Sequence, residues 1–90
     1  MTKQKTTPYN AILRIKEVTQ YTGLSKSTIY ERITLKLWPK GVPVGFRAVG
    51  WPIYEVEAMN AAAIAGKTEE ERHQLVLELE ENRKNSETKL

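Results

Sequence analysis

The chain's apolar and polar positions follow a helical rhythm, then an extended one, then a helical one again. From residue 15 the spacing is helical. Ile15 and Val18, with Tyr21 or Thr22, recur at i, i+3 and i+6 or i+7, predicting a short helix over residues 15–21 with Leu13 packed just ahead of it. Gly23 stands where the chain leaves that helix, a place that favours left-handed backbone. Leu24 then plugs the angle to a second helix over residues 26–36, which Ser25 is suited to cap; Ile29 and Ile33 face inward and Leu37 extends the stripe. Pro39 closes this region. Val42 to Val44 form a short extended run broken by Pro43, which suits an edge strand. Gly45-Phe46-Arg47-Ala48-Val49-Gly50-Trp51 supplies a turn and a second extended run, with Trp51 large enough to pin the hairpin to the helices. A third helix is expected over residues 53–66, burying Val56, Met59 and Ala63 and turning Glu55 and Glu57 to water. Gly66 ends it, and Thr68-Glu69-Glu70-Glu71 opens a fourth helix as a capping box. Leu75, Val76 and Leu79 give that helix a narrow apolar face, with Leu77 on another side.

The expected fold is therefore mainly α: a winged helix-turn-helix with a small two-stranded β-hairpin wing and a C-terminal helix. Residues 1–10 read as a disordered basic arm, residues 11–67 as the winged domain, and residues 68–90 as an acidic helix and tail. Ninety residues support one core. There is no cysteine, which removes disulfides and thiolate metal sites and suits a reducing cytoplasm. No apolar run approaches the roughly 20 residues of a membrane helix, and no signal-peptide core is present.

Charge sharpens the picture. Residues 1–67 hold ten of the fourteen Lys and Arg but four of the eleven acids, a balance of +6, whereas residues 68–90 carry −3. Attraction to phosphate thus belongs to the winged segment, and the acidic tail opposes it.

With Ile29 and Ile33 inward, the second helix turns Lys26, Ser27 and Tyr30 outward near its start, with Thr28 and Glu31 at the margins of that face. Lys26 and Arg32 suit phosphates or guanine, Ser27 and Thr28 suit base edges or bridging water, and Tyr30 offers a hydroxyl while its ring packs. Arg47, alone among small and apolar neighbours near the hairpin tip, is what a wing presents to phosphate or a narrow minor groove. Duplex DNA is the expected partner, with no membrane partner and no cofactor. Catalysis has little to build on. His73 is the one histidine, Ser25 is committed to a cap, and Trp51 and Pro52 stand where a phosphate loop after Gly45 and Gly50 requires Lys and Ser/Thr. A rival expectation makes the chain a protein-interaction module working through the leucine-faced fourth helix, which also suits a homodimer or cooperative assembly on DNA.

The ordered run R-I-K-E-V, T-G-L-S-K-S-T-I-Y, W-P-K, G-F-R-A-V-G-W, E-V-E-A-M and A-I-A-G-K resembles the AlpA family over roughly residues 11–67. These are small phage and prophage regulators with a MerR-like winged helix-turn-helix. The resemblance places the recognition helix at residues 26–36 and the wing arginine at Arg47. It implies a regulator of a mobile element, either a transcriptional activator or an excisionase that bends attachment-site DNA and sets recombination direction. Glu31 departs from the basic residue common after the helix-two tyrosine, with Arg32 following instead, and Met59 stands where an aromatic is frequent.

Overall fold

A computed structural model describes residues 11–86. The arm expected at residues 1–10 and the last residues of the tail lie outside them. Among the described residues seven elements follow in order: β1 (Ile12–Leu13), α1 (Ile15–Thr22), α2 (Lys26–Thr34), β2 (Val42–Gly45), β3 (Ala48–Pro52), α3 (Ile53–Ile64) and α4 (Glu69–Ser86). This is mainly α with a β wing, as the sequence pattern predicts.

The sheet has one strand more than the expected hairpin. Its order is β1-β3-β2, antiparallel throughout, with Leu13 opposite Trp51 and Pro43 opposite Val49. A two-residue strand carries too little periodicity to announce itself, so Leu13 shows in the sequence only as an apolar residue. Gly50 lies within strand β3. A Cβ there would run into the Ile12 side chain and the Leu13 carbonyl, so glycine is what lets β1 lie against β3. Pro43 sits on the edge strand β2, where its missing N–H costs no ladder bond.

Helix ends are governed by backbone closure. Gly23 adopts φ +75° and donates its N–H to the Thr19 carbonyl. The second helix stops at Thr34, two residues short of the expected end. Lys36 turns left-handed at φ +63°, its N–H bonding Ile33 O at 3.0 Å and the Leu37 N–H bonding Arg32 O at 2.7 Å. That pair of bonds is a Schellman closure, and Gly66 at φ +73° ends α3 in the same way.

The core joins every layer: Leu13, Val18, Ile29, Trp38, Trp51, Ile53, Val56, Met59, Val76 and Leu79. Two expectations change here. Ala62 is buried and Ala63 exposed, so the α3 stripe ends one residue earlier. Glu55, expected in water, is fully buried and accepts two bonds from Arg83 of α4, Nη2 to Oε1 and Nε to Oε2, each 2.7 Å. The apolar face of α4 is spent on the molecule's own core, with Val76 1% and Leu79 9% exposed. Leu77 stays outside.

Candidate nucleic-acid interface

The turn between α1 and α2 is built from small polar residues. Thr22 Oγ1 accepts from the Leu24 N–H at 3.1 Å, and the Ser25 hydroxyl accepts from the Thr28 N–H at 3.1 Å, completing the cap that the sequence suggests. Ile29 is fully buried and Ile33 packs on the core, which fixes the rotation of α2. Every other direction follows from that anchor.

On a helix, residues four apart stack above one another. Lys26, Tyr30 and Thr34 therefore form one row, Ser27 and Glu31 a second, and Thr28 and Arg32 a third. The first row borders the sheet. The Tyr30 ring meets Trp51 of β3 edge-on, with centroids 6.3 Å apart, while Tyr30 remains 40% exposed. Trp51 is itself held by its indole N–H donating to Pro39 O at 2.7 Å. Tyr30 thus ties α2 to the base of the wing and leaves part of its surface to solvent.

The second row is exposed and carries the Glu31 carboxylate beside Ser27. Thr28 is half-buried and engaged locally, its hydroxyl accepting from Ser25 Oγ at 2.9 Å. Arg32 is half-buried and lines a cavity with Arg72 of α4, on the flank away from the sheet. The six sequence candidates therefore do not form one cluster. Lys26, Ser27 and Tyr30 share the exposed side and the sheet flank of α2, Thr28 and Arg32 lie on the opposite flank, and Arg47 stands apart on the wing.

The wing tip is more distinctive than its sequence suggests. Gly45 faces Ala48 in the register, leaving Phe46 and Arg47 as the turn, and a one-residue bulge falls between Pro43 and Gly45. Arg47 takes φ +58°, a conformation that costs a side-chain-bearing residue about 1–2 kcal/mol. Phe46 is 89% exposed, and the Arg47 guanidinium lies 5.2 Å from its ring centroid. Arg14, at the start of α1, is a further cation of this region. Its Nε donates to Val49 O of β3 at 3.1 Å. Neither Phe46 nor Arg14 was singled out from sequence. Exposure of an apolar tip residue has no periodic signature, and the Arg14 bond spans 35 residues.

Among the described residues, the ion pairs are Arg83–Glu55 and Lys84–Glu81. Lys26, Arg14 and Arg47 thus carry unneutralised charge on the surface. No group of three or more His, Cys, Asp or Glu among the described residues could hold a metal ion, and no helix among them is long and apolar enough to cross a membrane. The arrangement offers cations, hydroxyls and one apolar ring to a ligand, which suits recognition of an anionic polymer.

Residues 11–60 match the family model described as Prophage CP4-57 regulatory protein (AlpA). A protein of Enterobacteria phage P4, described as uncharacterized protein ORF88, is 46% identical over 55 residues, a stretch that spans 61% of this chain and 62% of the phage protein. No solved structure matches the chain.

Proposed function

Since the chain belongs to the AlpA family of prophage regulatory proteins, we propose that it binds duplex DNA sequence-specifically for a phage or prophage element, as a transcriptional regulator or an excisionase-type directionality factor. It works in the cytoplasm without a cofactor and without catalysing a reaction. The α2 helix enters a major groove with Ser27 at base edges, Lys26 on phosphate and the Tyr30 hydroxyl on the backbone. Thr28 reaches DNA through whatever its cap bond to Ser25 leaves free, and Arg32 from the flank of the helix. The wing lies along the neighbouring backbone or minor groove, with Arg47 making the contact and Phe46 beside it.

The observation that carries this reading is Arg47 at the wing tip. A left-handed turn position is one that glycine would occupy at no steric cost, and an arginine there is retained against about 1–2 kcal/mol of strain. Lys36 carries the same strain to close α2, so what marks the Arg47 guanidinium as a DNA contact is its exposed place at the wing tip, with no carboxylate within ion-pairing distance among the described residues. The Tyr30–Trp51 contact adds a rigid link between reading helix and wing.

The test is fluorescence anisotropy on a labelled mixed-sequence duplex at two salt concentrations, followed by selection of a site from a random pool. Binding that weakens steeply with salt and a selected site held far more tightly than the mixed duplex are expected. Absence of binding at low salt sinks the reading.

A further inference from the structure

A cavity of about 200 Å³ lies on the flank of α2 away from the sheet, between α2, α3 and α4. Leu24, Leu37 and Met59 supply apolar wall, and Arg32 of α2 and Arg72 of α4 supply charge. Both arginines are half-buried, and among the described residues neither has a carboxylate within ion-pairing distance. Arg72 makes one bond, its Nε donating to Lys67 O at 3.0 Å, which leaves the two Nη groups of its fork for another acceptor. Trp38 lines the same cavity. It is 4% exposed, and its indole Nε1 is buried with no acceptor among the described residues, in contrast to the satisfied indole of Trp51.

Two guanidinium groups, neither matched by a carboxylate among the described residues, border one apolar-walled space. The guanidinium fork matches a carboxylate in two-point geometry, so one carboxylate answers both cations.

We propose that this cavity is a binding site for a small organic anion, its carboxylate held between Arg32 and Arg72 beside the Trp38 indole and a short apolar body against Leu24, Leu37 and Met59. The volume is below the roughly 300–1,000 Å³ of sites for drug-sized ligands, so the body is a few carbons long. A phosphate of duplex DNA fits worse, because it cannot leave its strand to reach a floor formed by a residue as buried as Trp38. The site takes Arg32 out of the DNA contacts proposed above and leaves those of Lys26, Ser27, Tyr30 and Arg47 untouched. When occupied, it bridges α2 to α4.

The experiment titrates sodium butyrate into the ¹⁵N-labelled full chain, with sodium chloride at matched ionic strength as the control. The two tryptophans give two indole N–H signals, assigned with Trp38→Phe. The Trp38 signal should move saturably with butyrate while the Trp51 signal stays, and Arg72→Gln should raise the dissociation constant at least tenfold. An unmoved Trp51 signal in Arg72→Gln reports that the fold is intact. Trp38→Phe shortens the ring system of a core residue, so its melting temperature should fall below that of the parent, and it serves only to assign the two signals. No saturable shift, an equal shift with chloride, or a shift that survives Arg72→Gln overturns the site. So does a Trp38 signal that answers to duplex DNA and not to butyrate, which would hand the two arginines to a DNA phosphate.

Discussion

Among the described residues two hold left-handed backbone without being glycine, and substitution tells strain that serves only closure from strain at a proposed DNA contact. Lys36 ends α2 at φ +63° and Arg47 turns the wing at φ +58°. Lys36→Gly should raise stability by about 1 kcal/mol in urea denaturation and leave DNA affinity unchanged, because the Schellman bonds use only backbone atoms. Arg47→Gly should stabilise by a similar amount yet weaken binding to every sequence. Arg47→Ala should also weaken binding and lower the salt slope by about one, and an unchanged slope would remove the wing contact. The sequence announces Arg47, which stands alone beside turn residues, but not its backbone state. Glu55 was harder to place. Its spacing to Met59 and Ala62, at i, i+4 and i+7, puts it on the buried side of α3, but a glutamate there is believable only with its partner, and Arg83 lies 28 residues away. Pairwise chemistry at that separation leaves no mark on local periodicity.

At the scale of elements, caps and turns were the most legible, since each is a bargain struck within a few residues. Ser25, Gly23, Gly66 and the Thr68–Glu71 box all occur as their chemistry requires. In that box the Thr68 N–H donates to Glu71 Oε1 at 2.9 Å and the Glu71 N–H to Thr68 Oγ1 at 3.1 Å. The backbone bond from Thr68, aided by the nearby Lys67 charge, holds the Glu71 carboxyl below its ordinary range. A carboxyl depressed in the folded state stabilises it above the unfolded pKa, about 4.3 for glutamate, and that contribution disappears as pH falls through the folded value. The first turn of α4 should therefore fray on acidification, read as faster amide exchange at residues 70–72 relative to the rest of the helix. Glu71→Gln keeps an acceptor for the Thr68 N–H but cannot titrate, so its exchange should lose this local pH dependence; an unaltered dependence would clear Glu71 of the effect. Strand β1 escaped the sequence for the opposite reason, because its existence depends on Gly50 admitting it and on no pattern of its own.

For the whole molecule, the decisive feature is that the acidic helix is fastened to the wing as well as to the core. Arg83 donates to Glu55 and also to Lys40 O at 2.7 Å, while Glu80 accepts from the Lys40 N–H at 3.0 Å, so α4 grips the segment that leads into β2. The hydrogen bond from Arg83 to Glu55, more than any other influence, raises the Arg83 pKa, and the guanidinium stays charged at every workable pH. Arg83→Ala leaves the Glu55 carboxylate buried and unmatched, which should cost on the order of 3–5 kcal/mol. Against a domain stability of about 5–15 kcal/mol, that is a large share. The double substitution Glu55→Leu with Arg83→Met removes both charges and should recover most of the loss in urea denaturation. A single-variant cost under about 1 kcal/mol, or no recovery in the double, would show that the pair is idle. The same fastening alters what truncation can teach. Charge and composition present residues 68–90 as separable, and removing them looks like a clean way to divide DNA binding from partner binding. In the folded chain that cut takes Val76 and Leu79 from the core and Arg83 from Glu55. Residues 1–67 alone should therefore lose the sharp thermal transition of the full chain and bind a hydrophobic dye, with any loss of DNA affinity following from the loss of fold. Cooperative melting of the shortened chain would mean that α4 rests on a domain already complete without it.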